Sequence, residues 1–368
     1  MAVWRGSLEG MGMRSFWKGK KVLVTGHTGF KGGWLSLWLQ QLGAEVVGLS
    51  LDPPTAPSFY QRSRVAEGIV SVQADIRDGD QLKAIFDQHQ PEILFHLAAQ
   101  SLVRYSYRSP VETYETNVMG TLHLLEAMRH TETTQAALMI TTDKCYENRE
   151  WVWGYRENEP MGGHDPYSSS KGAMELLIAS YRNSYYPKER YQQHGVAIAS
   201  ARAGNVIGGG DWGEDRLIPD MIRAFQQGEA VNIRSPHAIR PWQHVLEPLF
   251  GYLQLSEKLY TEGAEYAEPW NFGSVDQDAM SVQWIVERLT QLWGKGATWT
   301  LDQGTHPHEA HYLKLDCSKA HSRLQWKPKW SLDMTLEKIV EWHQLESEHG
   351  DMRGLSISQI EQYLSEAN

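Results

Sequence analysis

KVLVTGHTGFKGG, at Lys21–Gly33, contains the strongest local indication of how this chain folds. The run KVLVT is typical of a buried strand, and Gly33–Leu42 has the apolar pattern of a helix. Between them, Gly26, Gly29 and Gly32 form a G-x-x-G-x-x-G spacing. Glycine permits a tight turn and a close approach of backbone N–H groups to a pyrophosphate, and the helix N-terminus favours negative charge. The strand–turn–helix order therefore predicts a dinucleotide-binding turn rather than an ordinary glycine-rich turn.

The rest of the first half alternates predicted strands with predicted helices. Five further strands are predicted, at 45–50, 69–73, 93–97, 137–141 and 196–201. Helical patterns occupy 80–89, 110–130 and 166–186. This alternation is typical of βαβ units, and the continuous apolar runs indicate strands that are buried on both faces. We therefore expect an α/β fold with a Rossmann-type, doubly wound parallel sheet.

The second half has a looser pattern, with frequent glycines, prolines and polar turns. We expect residues 1–200 to form the dinucleotide-binding domain, of which 1–18 are a loose N-terminal extension. Residues 201–368 are expected to form mainly a smaller C-terminal substrate-binding lobe, with some segments returning to the first domain. Because open α/β sheets bind ligands at the carboxyl ends of their strands, the expected site is the cleft between sheet and lobe.

Composition and charge exclude several classes of protein. The 45 acidic and 35 basic side chains give a formal charge of -10, a poor match for a nucleic acid polymer. Cys145 and Cys317 are the only cysteines, so no disulfide scaffold is expected and a reducing compartment, the cytoplasm, is favoured. No apolar run indicates a membrane span or a secretory signal, and no His/Cys spacing indicates a metal site.

Tryptophan is frequent in this chain, which contains 15. Its large apolar ring either packs in a core or stacks on a ligand. Trp34 and Trp38 lie four residues apart on the first helix, and their spacing predicts packing against the sheet. Trp212 and Trp242 lie in the second half and are candidates for contact with a substrate.

The end of the second strand bears on which dinucleotide is bound. An acid about twenty residues after the glycines holds the ribose hydroxyls of NAD. Ser50 stands at that position and Asp52 follows just beyond it, with no arginine there to favour the 2′-phosphate of NADP. The sequence therefore favours NAD. Asp75 and Ile76, after the third strand, are candidates for contact with the adenine, although Asp75 alone is nearly as typical of a solvated loop.

A tyrosine and a lysine lie four residues apart in the segment YSSSK, at Tyr167 and Lys171. In a helix this spacing places both side chains on one face. A nearby ammonium group stabilises tyrosinate, so we expect Lys171 to lower the pKa of Tyr167 and to make it a usable base. An exposed helical pair is the alternative, and the preceding dinucleotide turn argues against it.

Several segments together resemble the extended short-chain dehydrogenase/reductase superfamily, over nearly the whole chain. They are TGHTGFKGGW, LAAQ at Leu97–Gln100, Asn117 and YSSSK. Within it, the segment from Thr141 to Asn148 is similar to the motif of nucleotide-sugar 4,6-dehydratases. Most such enzymes have T-D-E, whereas this chain has T-D-K, a departure similar to the branch that uses CDP-linked glucose. The resemblance implies that the following residues contact NAD: Gly26, His27, Thr28, Gly29, Phe30, Gly32, Leu97, Ala98, Ala99, Gln100, Asn117, Thr141, Tyr167 and Lys171.

The resemblance also implies a reaction. NAD⁺ takes hydride from C4 of the hexose, water is eliminated across C5 and C6, and the hydride returns to C6. Tyr167 would remove the C4 hydroxyl proton, Thr142 would hydrogen-bond the C4 oxygen, and Asp143 would protonate the departing C6 hydroxyl. Lys144 stands where T-D-E relatives have their C5 base; it would either take the C5 proton as a neutral amine or stabilise the enolate as a cation.

Polar residues outside these motifs are candidates for the substrate site, because guanidinium groups bind phosphate bidentately. They are Ser101, Arg104, Arg202, Asn205, Arg216, Arg234 and Arg240. The expected partners are CDP-linked glucose or a similar nucleotide sugar and, from the resemblance, a second copy of the chain, paired through the helices predicted at 110–130 and 166–186. Three alternatives stay open: a dehydratase for another nucleotide sugar such as UDP-N-acetylglucosamine, a 4-epimerase, which would lack the Asp143–Lys144 pair, and a noncatalytic NAD-binding regulator.

Overall fold

Seven parallel strands form one central sheet in the computed structural model, which describes residues 8–302 and 313–366. These seven, together with six short strands that form separate two-stranded sheets, make up the strands of the described residues: β1 (Lys21–Thr25), β2 (Glu45–Ser50), β3 (Val70–Gln73), β4 (Ile93–His96), β5 (Ala136–Ile140), β6 (Ala197–Ala203), β7 (Val206–Ile207), β8 (Val231–Ile233), β9 (Ile239–Pro241), β10 (Gln243–His244), β11 (Pro269–Phe272), β12 (Ala279–Ser281) and β13 (Trp299–Leu301). The central sheet has the order β3-β2-β1-β4-β5-β6-β11, and all its neighbouring pairs are parallel. The predicted doubly wound sheet is confirmed, with its switch in strand order between β1 and β4.

Helices connect these strands. They are α1 (Leu8–Trp17), α2 (Phe30–Leu42), α3 (Phe59–Arg62), α4 (Gly79–His89), α5 (Val103–Arg108), α6 (Pro110–Tyr114), α7 (Gly120–Arg129), α8 (Pro166–Ser184), α9 (Tyr191–His194), α10 (Leu217–Gln227), α11 (Leu246–Glu262), α12 (Val282–Trp293), α13 (Ser318–Leu324), α14 (Leu332–Ser347) and α15 (Met352–Ser365). Short 3₁₀ turns occupy Asp143–Cys145, Lys188–Arg190, Gly263–Tyr266 and Asp276–Asp278, and a π-helical turn at Glu115–Met119 joins α6 to α7. The helix predicted at 110–130 is thus three consecutive segments.

The inner strands β1, β4, β5 and β6 are buried on both faces, as their continuous apolar runs predict, whereas the edge strand β3 is largely exposed. Val22 and Val24 of β1 belong to a core on one face that also includes Trp34 and Trp38 of α2. Leu23 belongs to a separate core on the other face, formed with α4, α7 and α8. Both tryptophans are fully buried, and the Trp34 ring stacks on Phe59 with 4.6 Å between centroids. Their predicted packing role is confirmed.

The second half of the chain contributes both a lobe and parts of the first domain. A third core joins α10, α12 and α14 with β8. In contrast, β11 pairs with β6 as the last strand of the central sheet, and α11 and α15 pack in the same core as α2. The division at residue 200 stays a prediction. Throughout residues 8–302 and 313–366, we find no helix that combines the length and apolar character of a membrane span.

The N-terminal segment differs from the prediction. Residues 8–17 form helix α1, with Met13 and Trp17 buried in the main core. Trp17 lies 5.9 Å, between ring centroids, from Phe95 of β4. The prediction of a loose extension is therefore wrong for residues 8–17, because two apolar side chains of this helix have a place in the core.

Candidate active site

The glycine turn lies between the end of β1 and the start of α2. Gly26 has a φ of +79°, and a Cβ atom there would lie 2.7 Å from the backbone nitrogen of Ala98. A Cβ on Gly32 would lie 2.1 Å from the carbonyl oxygen of Gly26. These two glycines are therefore required by the turn itself. A Cβ on Gly29 would meet only the Gly26 carbonyl, at 3.4 Å, so Gly29 leaves the helix N-terminus open to an anionic group. The turn fits a dinucleotide pyrophosphate.

Hydroxyl groups line the end of β2. The Thr28 hydroxyl shares a 2.8 Å hydrogen bond with Ser50 and donates another to the carbonyl of Leu51 at 3.0 Å. Asp52 lies exposed on the loop just beyond. Of the two predicted ribose contacts, Ser50 is therefore joined to the glycine turn, whereas Asp52 is at the surface.

The His27 side chain lies inside the protein. It occupies the space beside Gly48, where a Cβ would come within 2.3 Å of the imidazole. Its Nε2 shares a 2.7 Å hydrogen bond with Ser71, and burial lowers its pKa to about 4. His27 is thus a neutral packing residue, and its side chain is not a contact to the cofactor.

An open groove of about 750 Å³ lies at the carboxyl end of β3. Asp75 and Arg77 line it, and the Arg77 guanidinium donates to both Asp75 carboxylate oxygens. This hydrogen bonding lowers the pKa of Asp75. Ile76 is buried against Gly120 of α7, where a Cβ would lie 2.7 Å from its side chain. Of the two predicted adenine contacts, Asp75 therefore lines the groove and is held by an arginine, whereas Ile76 is a buried packing residue.

Asn117 connects the segment after β4 to α8. Its side-chain oxygen accepts from the Gln100 backbone at 2.9 Å, and its amide donates to the Gln100 carbonyl at 3.0 Å and to the Ser170 hydroxyl at 2.9 Å. It lies within the π-helical turn, a feature frequent at functional sites. Asn117 therefore fixes Leu97–Gln100 beside the helix that carries Tyr167.

The predicted catalytic residues meet at the carboxyl end of β5. The Thr142 hydroxyl donates to the Asp143 carboxylate at 3.0 Å, and it also forms a hydrogen bond with Tyr167. Asp143, Tyr167 and Lys171 are buried, whereas Lys144 is exposed. Within residues 8–302 and 313–366, the Lys144 ammonium group forms no hydrogen bond or ion pair with another residue. The site thus has a buried hydroxyl–carboxyl–phenol group with a lysine at its open side.

The expected effect of Lys171 on the pKa of Tyr167 stays a prediction. Burial raises the pKa of Tyr167 to about 12, and a hydrogen bond with Thr142 opposes that rise. The Lys171 ammonium group instead donates to the Ile140 carbonyl at 3.4 Å. Burial lowers the pKa of Lys171 to about 8, with the nearby Glu175 carboxylate opposing this. The pair is in place, and the Lys171 ammonium group lies at the carboxyl end of β5, next to the site.

Three of the predicted substrate arginines gather where the first half meets the lobe. Arg216 binds Asp211 at 3.0 Å and donates to the Ser101 hydroxyl at 3.3 Å. Arg104 lies 3.2 Å and Arg234 3.7 Å from one carboxylate oxygen of Asp215. Ser101 and these arginines therefore form a polar cluster at the cleft. Asn205 follows β6 with a φ of +45°, and Arg240 lies in β9, with its guanidinium donating to the Ile239 carbonyl at 3.0 Å.

Arg202 does not belong to this cluster. It is buried in β6, and its guanidinium donates to both carboxylate oxygens of Glu175, at 2.9 and 2.8 Å, and to the Tyr146 hydroxyl at 2.6 Å. The guanidinium also donates to the Glu157 carbonyl at 3.0 Å. The prediction that Arg202 binds substrate is not supported, because the interior of the protein uses its donors. Sequence alone does not tell which arginine of a strand points inward.

Trp212 and Trp242 are also buried. Trp212 packs edge-on against Trp342, with 5.4 Å between centroids. The Trp242 indole donates to the Met280 carbonyl at 3.3 Å within the core of the lobe. Packing, rather than substrate contact, accounts for both residues.

Comparison with known proteins agrees with this geometry. Residues 23–339 match the family described as GDP-mannose 4,6 dehydratase. The chain belongs to this family. It is 56% identical over 352 residues to the CDP-glucose 4,6-dehydratase of Salmonella typhimurium, covering 96% of this chain and 98% of that protein. Two solved structures share the fold. One is a UDP-glucose 4-epimerase from Thermotoga maritima with UDP-glucose, which has a TM-score of 0.74 and 24% identity over 88% of this chain and 99% of that one. The other is a double mutant of dTDP-glucose 4,6-dehydratase from Streptomyces venezuelae with NAD, which has a TM-score of 0.74 and 21% identity over 90% of this chain and 99% of that one.

In this member of the GDP-mannose 4,6 dehydratase family, two further polar residues lie at the site. The Lys31 ammonium group, within the glycine turn, donates to the Tyr252 hydroxyl at 3.4 Å. Burial, together with the charges of Lys171 and Arg216, lowers its pKa to about 7. The sequence could have indicated Lys31 as a site residue, because it is a charged residue inside the G-x-x-G-x-x-G spacing. Buried His96 joins Thr25 and Thr121 by hydrogen bonds of 2.7 and 2.9 Å, and no sequence signal indicated that link.

Proposed function

We propose that this protein is a CDP-glucose 4,6-dehydratase that converts CDP-D-glucose to CDP-4-dehydro-6-deoxy-D-glucose with tightly bound NAD. The observation that carries the reaction type is the convergence of Thr142, Asp143 and Tyr167 at the carboxyl end of β5. The choice of CDP-glucose rests on the 56% identity to the Salmonella enzyme over nearly both chains.

The residues present fit NAD. Gly26 and Gly32 shape the turn, Gly29 leaves its helix N-terminus open, and Thr28 with Ser50 offers hydroxyls at the ribose position. NAD held there would supply the hydride chemistry of the reaction, removal from C4 of the sugar and return to C6. We assign its binding to the turn, to the segment after β4 with Asn117, and to Tyr167 and Lys171. Its adenine would occupy the groove that Asp75 lines, with Ile76 the next residue in sequence.

Each catalytic side chain has a place in the proposed reaction. Tyr167 removes the C4 hydroxyl proton while Thr142 hydrogen-bonds the same oxygen. The C4 ketone makes the C5 proton acidic. Asp143 then protonates the departing C6 hydroxyl. The exposed Lys144 either removes the C5 proton as a base or stabilises the enolate as a cation. We propose that the nucleotide diphosphate and the sugar bind to the polar cluster of Ser101, Arg104, Arg216 and Arg234. Asn205 and Arg240 remain candidates for the same ligand.

Substrate choice tests the proposal directly. The purified protein is incubated in turn with CDP-, dTDP-, GDP- and UDP-glucose and with UDP-N-acetylglucosamine, and the 4-keto product is measured by its absorbance in base. We expect CDP-glucose to be turned over and the other sugars to be poor substrates. Preference for another nucleotide would favour a related dehydratase, and a C4-epimerised sugar without keto product would favour an epimerase. Tight NAD binding without any turnover would favour a noncatalytic regulator.

We also propose that the protein works as a homodimer in the cytoplasm. Large apolar side chains are exposed on the helices from α5 to α8, including Val111 and Leu176 at 68% and 63%. Clustered exposed apolar residues are typical of a protein interface. Both cysteines are buried free thiols, which suits a reducing compartment.

Leu176→Glu is expected to separate the dimer into monomers, because a charge would then have to be buried in the interface. Analytical ultracentrifugation measures the change in mass. The matched control is Leu301→Glu, since Leu301 is 54% exposed but lies on β13 in the lobe. If both variants keep the mass of the parent protein, or the parent itself is a monomer, this assignment of the interface is wrong.

A further inference from the structure

The Asp143 carboxyl group rests directly on the backbone of Gly204. A Cβ atom at residue 204 would lie 1.9 Å from Oδ2 of Asp143 and 2.3 Å from its Cγ. All three atoms nearest to that Cβ position belong to Asp143. Gly204 is not among the residues with positive φ, so its backbone does not itself require glycine. The need for glycine therefore comes from the Asp143 carboxyl group alone.

Gly204 is in turn held by a buried glutamine. The Gln243 amide donates to the Gly204 carbonyl at 3.2 Å and to the Phe272 carbonyl at 2.9 Å. Gln243 is 3% exposed, and its backbone N–H donates to the Asn205 carbonyl at 3.3 Å. The segment after β6 is thus tied to the end of β11. On the other side of the Asp143 carboxyl group, the Thr142 hydroxyl donates to Oδ1 at 3.0 Å.

We infer that Gly204 is a positioning residue for the elimination step, holding the Asp143 carboxyl group where it can protonate the C6 hydroxyl of the sugar. This inference rests on the proposed function. In that step the C5 proton leaves to a base and the C5–H electron pair forms the C5–C6 double bond. The C6–O bond breaks, and the Asp143 proton completes a water molecule. Asp143 is left as a carboxylate, and the sugar as a 4-keto-5,6-ene.

The inference predicts the behaviour of Gly204→Ala. Its methyl group must displace the carboxyl group, because the backbone on which the methyl sits is fixed by Gln243. Product formation from CDP-glucose is expected to fall by roughly 10²–10⁴-fold, the contribution of a general acid. Formation of reduced cofactor should persist, since Tyr167 and Thr142 remain. Stopped-flow absorbance of the reduced cofactor and absorbance of the keto product in base separate the two steps.

A substrate analogue separates positioning from general damage. In CDP-6-deoxy-6-fluoroglucose the leaving group is fluoride, a weak base that departs without a proton from an acid. Fluoride release by Gly204→Ala and by Asp143→Asn is expected to stay within about tenfold of the parent protein, because the missing acid is not needed. Gly162→Ala is the matched control, since its methyl would meet Glu147 at an ordinary 3.4 Å, and it should behave as the parent with both substrates.

A second variant leaves residue 204 unchanged. Gln243→Met removes the two amide hydrogen bonds and is expected to give a smaller loss with CDP-glucose and the same rescue by the fluoro sugar. Normal dehydration by Gly204→Ala beside a defective Asp143→Asn would overturn the inference and leave the proposed function standing. The inference also falls if either variant loses activity with CDP-glucose and the fluoro sugar does not restore turnover. It falls as well if Gly204→Ala does not fold while Gln243→Met dehydrates CDP-glucose normally. Normal dehydration by Asp143→Asn would instead refute the role proposed for Asp143.

Discussion

Lys144→Ala is expected to keep the oxidation of CDP-glucose at C4 while losing the dehydrated product. Lys144 is exposed at the open side of the site, one residue after Asp143, so its removal disturbs no buried packing. Loss of a proton-transfer group or of a cation beside the enolate should lower product formation by roughly 10²–10⁴-fold. Rapid mixing with CDP-glucose should therefore show reduced cofactor appearing and persisting, without the keto product's absorbance in base.

Tyr167→Phe is the comparison for this experiment, because it removes the base that starts C4 oxidation. In that variant neither reduced cofactor nor product should form. The role given to Lys144 would be refuted if Lys144→Ala abolished C4 oxidation yet still eliminated water from a supplied 4-keto sugar. Conversion of Lys144 to a neutral residue thus distinguishes the second step from the first.

Glu175→Ala is expected to lower the free energy of unfolding by about 3–5 kcal/mol, because it leaves the Arg202 guanidinium buried without its carboxylate. Both side chains are 4% exposed, and Glu175 also accepts hydrogen bonds from Thr141 and Ser200. Although burial opposes ionisation of Glu175, Arg202 and these donors lower its pKa, so the carboxylate form is stabilised. Urea unfolding followed by circular dichroism measures the change.

A surface pair provides the control for this measurement. Asp87→Ala breaks an ion pair with Lys83 in which both side chains are more than half exposed, and it should cost less than about 1 kcal/mol. The combined change Glu175→Leu and Arg202→Met should be less destabilising than Glu175→Ala, because it leaves no unpaired buried charge. A loss below about 1 kcal/mol for Glu175→Ala would contradict the account of this pair.

Most of the central sheet could be predicted because a parallel strand buried on both faces reads as a run of apolar residues. The first six strands lie within a few residues of their predicted positions. The strand β11 gave no such signal, since PWNF contains a proline and an asparagine and its partner β6 is distant in sequence. The burial of Met13 and Trp17 was likewise hidden, because it depends on packing by elements far along the chain.

The candidate site shows a similar limit. Motifs that follow β1, β4 and β5 were expected to converge, since parallel strands place their carboxyl ends on one edge of the sheet. Side-chain directions were not accessible in this way. Arg202 points into the interior, where its guanidinium binds Glu175, and this contradicts the expectation drawn from its residue type. The contact between Gly204 and Asp143 joins residues from two different strand ends and leaves no trace in local sequence.

The late position of β11 in the chain has a consequence for how the protein is made. During synthesis, β6 leaves the ribosome before its partner strand β11 has been made. The apolar face of α2 likewise stays uncovered until α11 and α15 have been made. An unpaired edge strand beside uncovered apolar surface favours aggregation. Domains emerge and fold from the N-terminus, but this sheet cannot close until the chain has been made beyond residue 272. The nascent chain therefore exposes this edge and this apolar face for longer than a self-contained N-terminal domain would.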